Sequence, residues 1–219
     1  LSKYCKIFKD DYFIKKLEQT IEFLKKQFLN KENLLGSAFD ADSDGEEGKY
    51  YVYDYFEIKD IKNINDYFEL KPEGNWENKI ILVEKKLAPK EIIDKLLEIR
   101  RKRKKPFFDS KTQLDLNCLW ISALVSANEA LPKKNYLKLA EEFFSRIEEK
   151  FIKNDIKHCY TKDVVFLEDY AFLINALNDL SEKTMNFRYK DLAKKLCKEV
   201  ISKFYIKEMN IFQKNKKIN

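Results

Sequence analysis

Apolar positions along the chain fall at helical spacing in two stretches that repeat one another. Tyr136, Leu139 and Ala140 reappear as Tyr189, Leu192 and Ala193, 53 residues further on, and Phe151 and Phe204 close the two stretches at the same spacing. Ahead of them Ile121, Ala123 and Leu124 correspond to Ile174, Ala176 and Leu177, and Asp115 corresponds to Glu168. This periodicity predicts helices over 114–131, 136–152, 166–181 and 188–204. The first and third are apolar on most sides, which marks buried helices. The second and fourth carry Lys and Glu along one face and read as outer helices. A weaker copy of an outer helix runs through Phe13, Leu17, Ile21, Leu24 and Phe28. An inner helix followed by an outer one, repeated about every fifty residues, predicts an all-α fold of the α/α toroid or α-solenoid kind.

Between the helices, segments 33–52, 157–161 and 210–212 are short, aromatic and turn-rich, and read as small β-hairpins at one end of a helical ring. Residues 54–110 read as an insertion between hairpins. It has a short helix near 55–64, an irregular stretch at 72–76 and a helix over 89–103 with Pro89 at its first position. The pattern predicts one domain over 1–219.

The chain has 219 residues, of which 44% are hydrophobic and 14% aromatic, so it can bury a sizeable core and is not a disordered chain. Four Gly and four Pro are few, which argues for long helices rather than a sandwich or barrel. No run of apolar residues is long enough for a membrane span. No basic-then-apolar leader precedes the first helix, so the expected location is cytoplasmic. Starting at Leu1, the chain reads as a piece of a longer protein. The net charge of +6 is concentrated in Arg100, Arg101, Lys102, Arg103, Lys104 and Lys105 and in the tail at 214–217. Without interleaved aromatics the first run reads as the solvated end of a helix, where cations complement the dipole, rather than as a nucleic-acid site.

Cys5, Cys118, Cys159 and Cys197 form no C-x-x-C pair, so reduced buried thiols are expected rather than disulfides or zinc. His158 is the single histidine. It excludes a His-rich metal site and reads as structural. No metal or other cofactor is expected, and no glycine-rich phosphate loop or nucleophile elbow is present.

The densest chemistry lies in 39–53, where Asp40, Asp42, Asp44, Glu46 and Glu47 crowd around Gly45 and Gly48. The start fits a D-x-D-x-D-G calcium loop, but the twelfth position is Tyr51 rather than Glu, and an EF-hand is rejected. The run instead resembles the D-A-D-S-E-G-E-E-G-K-F-Y-V signature of the YyaL-like family, the thioredoxin-domain-containing, spermatogenesis-associated proteins. Arg100, Arg103, Pro106, Asp109 and 111–117 resemble that family's R-x-x-R-x-x-P-x-x-D-D-K-x-L-T-S-W-N block. Phe166, Leu167, Glu168, Asp169 and Tyr170 onwards are similar to its F-L-D-D-Y-A-F-L-I block. The resemblance implies a six-hairpin glycosidase-type (α/α)6 toroid, here incomplete and without the family's thioredoxin-like domain. A thioredoxin-like partner or a missing C-terminal region is the partner it implies. The chain departs from the pattern at Ser110, Leu116 and Cys118, which puts the family's pocket in question.

Acids at the starts of inner helices are the candidates for chemistry. Asp109, Lys111, Asp115, Glu168 and Asp169 are the candidate catalytic residues, and Asp40, Asp42, Glu46, Asn117 and Tyr170 the candidate substrate-binding ones. Paired carboxylates suit glycoside hydrolysis or an epimerase-like acid/base reaction on a sugar, and Trp120, Tyr170 or Trp76 could stack a sugar ring. The same acids also serve as helix caps, so a catalytically degenerate scaffold is the alternative.

Overall fold

A computed structural model describes residues 1–153, 155–159, 161 and 163–215. About 55% of the chain is helical, with small antiparallel β-hairpins. In chain order the elements are α1 (Ser2–Phe8), α2 (Asp11–Gln27), β1 (Gly36–Phe39), β2 (Asp42–Ser43), β3 (Glu46–Glu47), α3 (Tyr55–Ile58), α4 (Lys90–Arg101), β4 (Phe108–Thr112), α5 (Leu114–Ala130), α6 (Tyr136–Ile147), α7 (Leu167–Thr184), α8 (Phe187–Phe204), β5 (Tyr205–Ile206) and β6 (Ile211–Phe212). The chain divides into two compact units. One comprises Leu1–Ser37 with Ser110–Asn219, the other Ala38–Asp109.

The first unit is helical. α5 packs against α6, α7 and α1, and α7 packs against α8. Leu114, Ile121, Leu124, Phe143, Phe144, Ile147, Leu173, Leu177, Leu180 and Phe204 are sealed in its core. Three of the four predicted helices appear within three residues of their expected ends. The second departs most, because α6 stops at Ile147 and the chain widens into a π turn over Glu148–Ile152. α5 is not buried on every side, since Leu116 and Leu119 are exposed. α2 carries the weaker third copy, with Leu17 and Ile21 inward and Asp10 accepting from the Tyr12 and Phe13 N–H groups as its N-cap. α1 has no counterpart in the sequence pattern, being too short to show a period. β5 and β6 form a small antiparallel hairpin, Tyr205 opposite Phe212, at the expected 210–212 segment. Of segment 157–161, Tyr160 lies outside the described residues, as do Lys216 and Lys217 of the basic tail. Among the described residues no helix is long and apolar enough to cross a membrane.

The second unit has its own core of Tyr53, Ile58, Ile64, Phe68, Ile80, Ile92 and Leu96, with the Tyr53 hydroxyl donating to the Leu96 carbonyl at 2.9 Å. α3 is shorter than expected and hands over to a single 3₁₀ turn at Ile64–Asp66. Pro89 sits at the N-cap of α4 rather than at its first helical position, which is Lys90.

Candidate functional site

Two acids of the first unit, Asp115 and Asp169, come together at the N-termini of α5 and α7. Asp169 occupies the third position of α7 and is fully buried; its Oδ2 accepts from the Phe166 N–H at 2.8 Å, closing the helix start. Its Oδ1 lies 2.8 Å from Nδ1 of His158. The histidine is held by its backbone, accepting from the Leu114 N–H at 2.9 Å and donating to the Val164 carbonyl at 2.7 Å, while its ring meets Phe166 edge-on. Its Nε2 faces Nε2 of Gln113 at 2.7 Å. Asp115, in the first turn of α5, completes a group in which one ligand atom from each of Asp115, His158 and Asp169 lies within 4.8 Å of the others.

Donor and acceptor roles follow from this geometry. An ionised carboxylate only accepts, so His158 carries its proton on Nδ1 and donates it to Asp169. The Nε2 lone pair then accepts from the Gln113 amide. The ring is thus held between Asp169 on Nδ1 and the Gln113 amide on Nε2, an arrangement in which a carboxylate selects the imidazole tautomer. Burial pushes the Asp169 pKa above its ordinary value, with Asp115 adding to the rise, against the lowering by the Phe166 N–H and by His158. Burial, with the charges of Asp169 and Asp115 adding to it, raises the Cys118 thiol well above the ordinary value, so it stays protonated and is no nucleophile.

His158 is the residue that sequence reasoning left out of the site. The available signal was a lone histidine in the loop before a helix whose third position is an acid. The other candidates are placed as follows. Glu168 is exposed beside Lys214 at 3.7 Å. Asn117 is fully buried, taking the Leu35 N–H at 2.8 Å and giving to the carbonyls of Leu35 at 3.0 Å and Gln113 at 2.9 Å. Tyr170 is buried, with its hydroxyl 2.8 Å from Lys203 Nζ and 3.3 Å from Glu199. It borders a cleft of about 350 Å³. Trp120 is core, packed edge-on against Phe143. Lys111 lies exposed on β4 in the first unit.

Asp40, Asp42, Glu46 and Asp109 belong to the second unit. Asp42, Ser43, Glu46 and Glu47 make a two-residue hairpin whose turn, Asp44 and Gly45, has φ of 56° and 80°. An Asp-Gly pair is among the few that adopt that double positive φ readily. Lys49 reaches Glu46 at 2.7 Å and Asp44 at 3.5 Å. Asp40 accepts from the Asp42 N–H at 3.2 Å. The basic run is partly folded in, against its reading as a solvated helix end. Arg103 donates to the carbonyls of Val52, Lys49 and Tyr50, pairs with Glu57 at 2.7 Å and lies over the Tyr53 ring, while Arg100 lies over Tyr50 and Tyr51.

No family model matches the chain and no curated protein matches it. The likeness to the YyaL-like family therefore rests on the sequence blocks alone. Among solved structures, a sugar epimerase from a ruminal bacterium is similar, with a TM-score of 0.45 and 14% identity over 93% of this chain. The chain spans 58% of that structure's length.

Proposed function

We propose that this chain is a YyaL-like protein of the α/α-toroid kind whose helical unit performs acid/base chemistry on a small carbohydrate, of epimerase or isomerase type. His158 is the proton-transfer group, Asp169 the carboxylate that positions it, and Asp115 the second acid. The reading is carried by one observation, the 2.8 Å contact between His158 Nδ1 and a fully buried Asp169. Substrate must displace the Gln113 amide from Nε2 and present a C–H or O–H there.

Hydrolysis by paired carboxylates is the weaker form of this reading. It needs two acids that both reach the glycosidic bond, about 5–9.5 Å apart. Both Asp169 oxygens are already engaged and the side chain is out of solvent. That engagement also favours the second reading, a non-catalytic scaffold in which Asp169 and His158 only close the start of α7.

The test is solvent deuterium uptake. The protein is incubated in D2O with a panel of aldoses and ketoses, and exchange at carbon 2 is followed by NMR. Exchange by the wild type that disappears in His158→Asn supports the proposal. No exchange in any sugar, with His158→Asn merely lowering stability, moves the site to the scaffold reading.

A further inference from the structure

The second unit contains a cleft of about 500 Å³ lined by Glu46, Glu47, Lys49, Val52, Asp54, Glu57, Trp76, Glu77, Lys79 and Arg103. All of these residues lie within Ala38–Asp109. We propose that this cleft is a saccharide-binding site, with Trp76 as the stacking platform.

The tryptophan is presented by the local backbone. Glu77 and Asn78 form a two-residue turn with φ of 48° and 58°, and Trp76 and Lys79 close it as a hydrogen-bonded pair. Paired positions across such a turn send their side chains to one face. Trp76 and Lys79 therefore stand together at the cleft. The benzo ring of Trp76 leans toward the open side of Gly48, where a Cβ would stand 3.5 Å from it. Trp76 is half-buried, and an indole held on one side and open on the other offers an apolar surface to the C–H face of a pyranose.

The polar lining selects among ligand classes. Every cation of the cleft already holds a carboxylate: Lys49 with Glu46 at 2.7 Å, Lys79 with Asp54 at 2.8 Å and Arg103 with Glu57 at 2.7 Å. An anionic ligand would thus find no uncompensated positive charge. These pairs are not saturated, however. An ammonium has three N–H donors and a carboxylate about four lone-pair positions. Glu47 and Glu77 add further acceptors. A neutral polyhydroxylated ring is the ligand that uses donors and acceptors side by side together with an aromatic face. The volume lies in the range of small-molecule sites.

This cleft and His158 belong to different units of the chain, and each has its own readout. Trp76 and Trp120 are the two tryptophans of the chain, and Trp120 is buried, so a ligand-dependent change in indole fluorescence reports on Trp76. The full chain is titrated with D-glucose, D-mannose, cellobiose and maltose at millimolar concentrations, with spermidine as the cationic probe. Binding is confirmed by saturation-transfer NMR, which does not depend on tryptophan. The expected result is saturable binding of at least one sugar, weakened about tenfold or more in Trp76→Ala and by a smaller factor in Glu47→Gln. Glu47 lies on an exposed hairpin, and its variant keeps the test valid where Trp76→Ala disturbs the fold. His158→Asn should leave this binding unchanged. The proposal is overturned by absence of saturable binding for all four sugars, by sugar affinity unchanged in both cleft variants, or by spermidine binding where the sugars do not.

Discussion

Replacing Asp169 by Asn tests the site without needing its substrate. The carboxylate accepts twice, from Nδ1–H of His158 and from the Phe166 N–H, each at 2.8 Å. An amide of the same shape has one accepting oxygen and one donating nitrogen. The Phe166 N–H is fixed by the start of α7, so the oxygen turns to it and the NH2 faces His158. Nδ1 must then accept and the ring proton must move to Nε2, where Gln113 can turn its amide oxygen to receive it. The charge-assisted bond lost on Nδ1 is worth about 2 kcal/mol, which is about thirtyfold in the tautomer ratio. Stability should change less, within about 1 kcal/mol, because the same substitution relieves the burial of a charge. Burial is the largest cause of the raised Asp169 pKa. The assay is two-bond 15N–1H NMR of the imidazole, and the single histidine gives one unambiguous pattern. The wild type should show Nδ1–H and the variant Nε2–H, and any proton exchange on sugars should fall by about two orders of magnitude or more in the variant. A wild-type ring protonated on Nε2, or a variant with an unchanged pattern, would refute the reasoning.

Three further outcomes are expected. Gly74→Ala should cost about 3 kcal/mol, because φ is +79° and the new Cβ would lie 2.5 Å from the Lys79 carbonyl oxygen; Gly45→Ala, at nearly the same φ but with open space, should cost about 1 kcal/mol in the same urea titration followed at Trp76. Asn117→Ala removes three hydrogen bonds, two of them buried, and strips both Leu35 backbone groups of the side chain that pairs them, a loss of about 3 kcal/mol, and Asn117→Asp should do no better because a carboxylate would face two carbonyls. The pKa of Glu129 is lowered by hydrogen bonds from Lys183 and Lys6, so its contribution is present above the ordinary glutamate value and lost as pH falls through the lowered one; Asp169, with a raised pKa, has the opposite sign and gains on acidification. A melting curve series from pH 7 to pH 3 should accordingly show less acid loss in Glu129→Gln and more in Asp169→Asn than in the wild type.

Apart from the short α1, the helices of the first unit were legible because each carries its own evidence, an apolar period sustained over three to five turns. Segment 33–52 was legible as a turn-rich hairpin, and the structure places the turn at Asp44 and Gly45. What could not be read is what depends on contacts between elements. The repeat equates Asp115 with Glu168, and both do sit second in their helices. Equal position along two helices does not mean equal direction, however, and it is the neighbouring Asp169 that joins Asp115 and His158. Asn117 and Tyr170 looked like polar groups near a site, but burial turns them inward, Asn117 onto the Leu35 backbone. Arg100 and Arg103 looked like part of a solvated run, and only the fold brings tyrosine rings and carbonyls under them.

The choice between a site and a mere helix start turns on what each oxygen of Asp169 accomplishes. Closing the first turn of α7 needs one oxygen, the one that takes the Phe166 N–H, and an exposed acid at that position would serve. Burying the whole carboxylate raises its pKa and therefore works against the fold at neutral pH. The second oxygen offsets that cost only by binding Nδ1 of His158. The consequence is a histidine whose Nδ1 is held by Asp169 and whose Nε2 faces the Gln113 amide, with a second carboxylate within 4.8 Å. A scaffold needs the first oxygen and can use the second to tie the His158 loop to α7, whereas proton transfer uses the second to select the tautomer; sugar-proton exchange that is lost in His158→Asn separates the two.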